Sequence, residues 1–199
     1  MFERVRRDLL RYYAFESRTG TPGLLEKAKI VATGHALKAL MVHRFGAWLH
    51  RSELPTPVRV PLKVAHRAMA EVVRLTWGME IHSAADIDGG LYISHPYGVL
   101  IGAVHMGRDC NVSHYVTIGV RPGGATVEEQ VPTIGERVFF GPGSVVYGKI
   151  TIGSGASVGP VTVVGRNLPP NCFASGNPMQ IVQKKFDNHA IIYGTRPPP

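Results

Sequence analysis

The sequence predicts an α+β protein, in which a helical region over residues 1–78 precedes a parallel β-helix over residues 79–182. Two observations predict this division. Lys and Arg outnumber Asp and Glu by 14 to 6 in the first part, and each pair totals 8 in the rest of the chain. Only 5 of the 23 glycines lie before residue 79, and apolar residues recur every six positions after it. Glycine-rich but apolar sequence is typical of short strands joined by tight turns.

Three amphipathic stretches make up the helical region. Apolar residues recur at helical spacing over residues 2–13, 37–49 and about 61–77. A turn-rich segment at 19–23 separates the first two stretches, and prolines separate the last two. We interpret the basic residues of these helices as a solvated face, since no nucleic-acid motif accompanies them. A peripheral contact of residues 58–75 with anionic lipid stays open as an alternative.

The composition excludes several classes of protein. Mean hydropathy is +0.03, and no run approaches the roughly 18 apolar residues that a membrane-spanning helix needs. The first ten residues are charged and lack an apolar signal core, which predicts a cytoplasmic protein. The two cysteines, Cys110 and Cys172, cannot make a disulfide scaffold and do not have the spacing of metal ligands.

A six-residue repeat defines the second part of the chain. In a solenoid, each hexad forms one short strand and one turn, and its first side chain points toward a common axis. The repeat shifts by one residue once and is interrupted once. Its thirteen positions, none of them charged, are Ile81, Ile87, Ile93, Val99, Val104, Cys110, Val116, Ile134, Phe140, Val146, Ile152, Val158 and Val164. Stacked coils would bury these side chains as one continuous apolar column.

Two segments depart from the repeat. Residues 119–133 are polar and rich in Gly and Pro, which predicts a loop protruding from one corner of the solenoid. Loops of this kind tend to carry function. The solenoid ends with prolines and a Gly-Asn-Pro turn at 176–178, and residues 183–199 are expected to form a loose C-terminal tail.

The hexads resemble those of the hexapeptide-repeat acyltransferases, and most closely the serine acetyltransferase-like branch. The resemblance is carried by five segments: 35–51 (HALKALMVHRFGAWLHR), 80–98 (EIHSAADIDGGLYISHPYG), 116–119 (VTIG), 132–159 and 168–182 (LPPNCFASGNPMQIV). It covers most of the chain. The His-x-x-Gly element at 95–98 and the terminal Pro and Gly-x-Pro element are its more specific parts.

The resemblance implies a left-handed β-helix that assembles as a homotrimer, with or without further pairing of trimers. It also implies acetyl-CoA as acyl donor, bound in the groove between neighbouring solenoids, and no metal. By motif position, His95 is the general base for an acceptor hydroxyl, a role that typically contributes about 10²–10⁴-fold to the rate. Glu80, one coil earlier, stands where the family has an acid that orients the imidazole. His114 is a reserve candidate for the base.

The same resemblance assigns further site residues. The expected positions along the acetyl-CoA groove are Gly119, Gly141, Pro142, Gly159, Pro160, Lys184 and Lys185. The expected acceptor-binding positions are Ser94, Tyr97 and Gln130. Pro142 and Pro160 depart from the family, which frequently has Ala there, because proline offers no N–H to the pantetheine arm.

Charged residues with which serine acetyltransferases hold an amino acid are replaced in this chain. Ser94 stands in place of an Asp before the catalytic His, and Gln130 begins the pair that replaces Arg-His in the loop. Gly102 is followed by Ala103, where the family has Gly-Glu-Thr. A zwitterion would be left unpaired, which is unfavourable. The sequence therefore favours a small-molecule acceptor such as a sugar or another alcohol, as in the saccharide O-acetyltransferases of the same branch.

Three alternatives are weighed against a sugar acceptor. Serine O-acetylation is the first, and a catalytically silent trimeric scaffold is the second. The third is a metal-dependent hydratase on the same fold, which is disfavoured because the histidines lack the spacing of a three-ligand site. Retention of both His95 and Glu80 argues against the silent scaffold.

Overall fold

The computed structural model describes residues 1–17, 22–120 and 130–193. The expected turn at 19–23, loop at 119–133 and tail at 183–199 therefore lie partly outside the described residues. The described helices are α1 (Phe2–Glu16), α2 (Leu24–Thr33), α3 (His35–Arg51), α4 (Thr56–Trp77) and, after the strands, α5 (His189–Tyr193).

Helix α2 was not predicted from the sequence. Its first residues, Leu24 and Leu25, are more than four-fifths exposed, and Ile30 is its buried residue. The segment therefore lacks the apolar stripe that identifies a helix packed on a core. The other helices of the first part correspond to the three predicted amphipathic stretches.

Each coil of the second part contributes strands to three faces of a prism. Face A contains β1 (Glu80–Ile81), β4 (Leu100–Ile101), β7 (Thr117–Gly119), β10 (Val145–Tyr147) and β13 (Val163–Val164). Face B contains β2 (Asp86–Ile87), β5 (His105–Met106), β8 (Thr133–Ile134) and β11 (Thr151–Ile152). Face C contains β3 (Tyr92–Ile93), β6 (Asn111–Val112), β9 (Phe139–Phe140), β12 (Ser157–Val158), β14 (Cys172–Ser175) and β15 (Gln180–Lys184). All pairings are parallel except that of β14 with β15, so the predicted left-handed parallel β-helix is confirmed.

The six-residue repeat marks the core, but over four of its positions it is out of phase with the inward residues. All its positions are buried except Ile81, which is half-buried at the open end. Most of them are the inward residue of a strand, but the four from Val99 to Val116 lie two places before the inward residue and fill a corner. The change arises between β3 and β4, where the inward residues Ile93 and Ile101 are eight positions apart rather than six. Two extra residues, Pro96 and Tyr97, enlarge that corner.

Left-handed backbone conformations turn the chain from one face to the next. At the edge between faces B and C, one residue of each coil has a positive φ: Gly90, Asp109, Arg137, Gly155 and Asn171. At position 90, glycine is also required because there is no room for a side chain. A Cβ on Gly90 would lie 2.1 Å from Oδ1 of Asp109.

A buried ion pair joins the helical region to the β-helix. The Asp8 carboxylate of α1 accepts two hydrogen bonds from the Arg44 guanidinium of α3, at 2.8 and 3.1 Å. It also accepts the backbone N–H groups of Gly90 and Leu91 at 2.7 and 3.0 Å. Arg44 in turn donates to the carbonyl of Asp88 at 2.7 Å. With Asp8 fully buried, both charges are compensated by this network.

Other arginines of the helices also contact the β-helix. Arg4 and Arg51 donate to Asp86 at 2.8 and 3.0 Å, and Arg7 holds Asp109 at 2.6 and 2.9 Å. The interpretation of the basic residues as a solvated face is therefore wrong for Arg44, which is buried. Arg4, Arg7 and Arg51 stay partly exposed but are also paired with acids of the β-helix. Part of the positive charge of the first part is thus paired with acidic residues of the second part.

Arg11 connects the two ends of the described chain. Its guanidinium donates to the carbonyl of Gly90 at 3.1 Å, to the side chain of Asn111 and to the carbonyl of Ile192 in α5. The Tyr193 hydroxyl donates to Asp109 at 3.2 Å. Helix α5 thus packs beside α1, so the tail is anchored over its described residues.

Helix α4 is largely exposed. Val73 is its buried residue, and several apolar side chains along it are exposed. Among the helices described here, none is both long enough and apolar enough to cross a membrane.

Candidate active site

The edge between faces C and A aligns His95 with three other predicted or reserve site residues. The register pairs Ile93, Val112, Phe140 and Val158 on successive coils. Two positions later, the same register stacks His95, His114, Pro142 and Pro160 in one column, which we call the C–A column. The rings of His95 and His114 have centroids 5.6 Å apart, at an interplanar angle of 58°. From the sequence, His95 and His114 were candidates for the base, and Pro142 and Pro160 were expected along the acetyl-CoA groove. The fold brings these four residues together.

The enlarged corner after β3 presents His95 to solvent. His95 is exposed, whereas the Nδ1 of His114 is buried and has no hydrogen-bond partner. The corner is fixed from the next coil, because the Tyr115 N–H donates to the Tyr97 carbonyl at 2.8 Å. Gly98, with a φ of +63°, allows the Tyr115 ring to pack against the backbone. The imidazole of His95 is therefore held on a defined turn.

A cleft of about 620 Å³ opens beside His95, between the enlarged corner and the helices. Ser94, His95 and Tyr97 line it from the β-helix. From the helices it is lined by residues that the sequence analysis did not single out, among them Glu16, Glu26, Lys29 and His35. Sequence reasoning missed these because their approach to His95 depends on how α1 and α2 dock, which no local pattern encodes.

Hydrogen bonds from α1 fix the wall of this cleft. Tyr12 donates its hydroxyl to the Ile93 carbonyl at 3.2 Å, and the Ile93 N–H donates to the same hydroxyl oxygen at 3.1 Å. The Tyr92 hydroxyl donates to the Glu16 carboxylate at 3.1 Å. Burial, and next the negative charge of Glu16, raise the pKa of Tyr92 above its usual value, so this phenol stays a proton donor at neutral pH.

The structure does not bring Glu80 to His95 within the protomer. Glu80 lies on β1 of face A and is exposed. It lines a second cleft together with His43, His66 and other residues of α3 and α4, and His95 does not line that cleft. Between the two described side chains there is neither a hydrogen bond nor an ion pair. The role of Glu80 in orienting the imidazole stays a prediction.

The predicted acetyl-CoA residues divide among three edges of the prism. Gly141 and Gly159 come directly before Pro142 and Pro160 of the C–A column, and a Cβ on either would lie within 2.8 Å of atoms of the next coil. Stacking of coils alone therefore requires glycine there. Gly119 ends β7 at the edge between faces A and B, and nothing lies within 4 Å of a Cβ placed on it. Lys184 pairs with Cys172 at the start of β14, so Lys184 and Lys185 lie near the edge between faces B and C.

The predicted acceptor residues are also divided. Ser94 and Tyr97 line the cleft beside His95. Gln130 is half-buried just before β8, near the A–B edge with Gly119. Among the described residues, no group of three or more His, Cys, Asp or Glu side chains is arranged to hold a metal ion. Burial raises the pKa of the Cys110 thiol to about 12, as expected of an unreactive core residue.

Comparison with known proteins agrees with this architecture. Residues 132–166 match the family described as bacterial transferase hexapeptide (six repeats). The serine acetyltransferase of Helicobacter pylori is 30% identical over 164 residues, which are 82% of this chain and 90% of that protein. The serine acetyltransferase of Synechococcus elongatus is 32% identical over 148 residues, 74% of this chain but 57% of the longer relative. Soybean serine acetyltransferase, solved in complex with serine, superposes with a TM-score of 0.74 at 28% identity, over 90% of this chain and 68% of that one.

Fold, repeat and exposed histidine together define a hexapeptide-repeat transferase. The chain belongs to the hexapeptide-repeat acyltransferase family that includes the serine acetyltransferases. The closer placement of this chain among saccharide O-acetyltransferases is not supported, because the relatives just described are serine acetyltransferases. The comparisons favour the serine alternative over a sugar acceptor.

Proposed function

We propose that this protein is an acetyl-CoA-dependent O-acetyltransferase that acetylates the hydroxyl of serine. The observation that carries the proposal is the position of His95, an exposed imidazole on an enlarged corner beside a cleft that admits a small acceptor. The relationship to serine acetyltransferases over most of the chain supports serine as that acceptor. A cleft of a few hundred Å³ is typical of small-molecule sites.

The reaction needs one group that moves a proton in both directions. As the serine oxygen attacks the thioester carbonyl carbon, the neutral imidazole of His95 accepts the hydroxyl proton. The tetrahedral intermediate then collapses, the carbon–sulfur bond breaks, and the imidazolium returns the proton to the departing thiolate. The products are O-acetylserine and CoA thiol. The imidazole of His114 lies beside that of His95, on the next coil.

The division of the predicted residues among three edges favours a site shared between protomers. Gly119 and Gln130 lie at one edge of the prism and His95 at another, so a single chain does not place them around one ligand. A homotrimer that sets the A–B edge of one solenoid against the C–A column of its neighbour would do so. Acetyl-CoA would then lie along the column, where Pro142 and Pro160 provide apolar surface but no N–H donors.

The proposal is tested by following release of CoA thiol with serine, homoserine and a panel of sugars. Wild-type protein is expected to prefer serine, and His95→Ala to lower kcat by at least about 100-fold. His105→Ala is the matched control, because His105 is also an exposed histidine on a coil but lies on face B, near Asp86. This control should retain wild-type turnover.

Each alternative has its own outcome. Preference for a sugar over serine would refute serine as the acceptor and would favour a saccharide acceptor instead. Unchanged turnover of His95→Ala would show that His95 is not the base, and His114 would then be the candidate. Absence of both turnover and acetyl-CoA binding, measured calorimetrically, would favour a silent scaffold.

A further inference from the structure

The acceptor site lacks charges where the sequence motifs place them. Ser94 and Gln130 are neutral, and serine carries an ammonium and a carboxylate on the same carbon. Desolvating these groups without partners is unfavourable. If serine binds beside His95, charged side chains elsewhere on the cleft wall of the same protomer could pair with these two groups.

Helix α2 supplies both signs of charge on that wall. Glu26 and Lys29 are three positions apart, so their side chains project from the same face of the helix about one turn apart. Both line the cleft that contains His95. Glu26 is half-buried and Lys29 is exposed, so each charge can be reached by a ligand inside the cleft.

Within the described part of the chain, no residue pairs with these two charges. Over residues 1–17, 22–120 and 130–193, neither side chain makes a hydrogen bond or an ion pair, and the two do not pair with each other. The remaining acid of the cleft, Glu16, already accepts a hydrogen bond from Tyr92. Lys27, the residue after Glu26, lies over the Tyr13 ring at 5.8 Å instead of lining the cleft. Among the described residues that line the cleft, Glu26 and Lys29 therefore provide one unpaired negative charge and one unpaired positive charge, as a zwitterion needs.

We infer that Lys29 binds the carboxylate of the acceptor and Glu26 binds its ammonium, so that α2 orients an α-amino acid with its hydroxyl toward His95. The inference rests on the proposed function for the identity of the acceptor. It makes α2 the determinant of acceptor specificity, in place of the residues that flank the catalytic histidine and the loop. Both residues are binding residues, and neither takes part in proton transfer.

The experiment measures binding and is independent of turnover. Serine is titrated calorimetrically into wild-type protein, Lys29→Met, Glu26→Gln and the matched control Lys27→Met. Lys29→Met and Glu26→Gln are each expected to weaken serine binding about twofold to fivefold, the range for a charge pair near a protein surface. Lys27→Met is expected to bind serine like wild type.

Two analogues assign each charge to its partner. Serine methyl ester lacks the carboxylate, so its binding should not respond to Lys29→Met. 3-Hydroxypropionate lacks the ammonium, so its binding should not respond to Glu26→Gln. Retained binding of these analogues also shows that each variant is folded.

The inference is overturned if wild-type protein does not bind serine, if both variants bind serine normally, or if Lys27→Met weakens binding equally. Serine binding that depends on Lys29 and Glu26 without any thiol release would instead refute the proposed function and leave the inference standing. The two failures are therefore distinguishable.

Discussion

Replacing His43 with leucine is expected to remove a large part of the acid sensitivity of this fold. His43 lies in α3 and is 4% exposed, and neither of its ring nitrogens makes a hydrogen bond. Burial, and next the positive charges of Arg44 and Arg51, lower the pKa of His43 from 6.5 to about 3. The nearby backbone of Ile81 opposes this shift too weakly to reverse it.

The sign and size of the effect follow from this difference in pKa. Below about pH 6.5 the imidazole is protonated in the unfolded chain but stays neutral in the folded protein down to about pH 3. The unfolded state therefore binds more protons, and stability falls as the pH falls through this window. At 1.36 kcal/mol per pH unit, the loss between neutral pH and pH 5 is about 2 kcal/mol.

The measurement is urea unfolding of wild-type protein and His43→Leu at several pH values from about 7.5 to 5. The difference in unfolding free energy between the two proteins should change by about 2 kcal/mol over this range, in favour of the variant at low pH. His50→Leu, an exposed position in the same helix, should keep the wild-type profile. Parallel loss of stability in wild type and His43→Leu would refute the reasoning.

Three further changes test other parts of the fold. Asp8→Ala leaves the Arg44 charge buried and uncompensated, so urea unfolding should show a loss of about 3–5 kcal/mol; a loss below about 1 would contradict the network. Gly90→Ala places a Cβ 2.1 Å from a carboxylate oxygen and should lower Tm, whereas Gly119→Ala, in open space, should not. Val161→Gly relieves a β-branched residue at φ +51° and should stabilise by up to about 1 kcal/mol in calorimetry.

The period of the repeat was enough to predict the β-helix, because each coil buries the apolar residues of its own hexads. The pattern is therefore visible locally in the sequence. The repeat did not predict which residue of each strand points inward, since Pro96 and Tyr97 enlarge one corner without interrupting the apolar positions. Val99 could therefore be mistaken for the inward residue of β4, although that residue is Ile101. The distinction matters because this enlarged corner is the one that presents His95.

Contacts between the two parts of the chain could not be predicted. Arg44 and Asp8 are ordinary charged residues in amphipathic helices, and only the docked structure shows that they are buried against carbonyl and N–H groups of the first coil. The same limit applies to Glu26 and Lys29, which reach the candidate site from a helix that has no apolar stripe. Motif resemblance could select His95 as the candidate base because a turn of the solenoid positions it locally, and its catalytic role stays a prediction.

Arg11 has a consequence for how the molecule opens. Coils of a solenoid contact only the coils beside them, so such arrays fray from their ends. Arg11 joins α1 to the first two coils and to the carbonyl of Ile192, so α5 cannot detach without breaking its hydrogen bond to this guanidinium. Amide protons of α1 and α5 should consequently exchange with solvent at matched rates, as one cooperative unit.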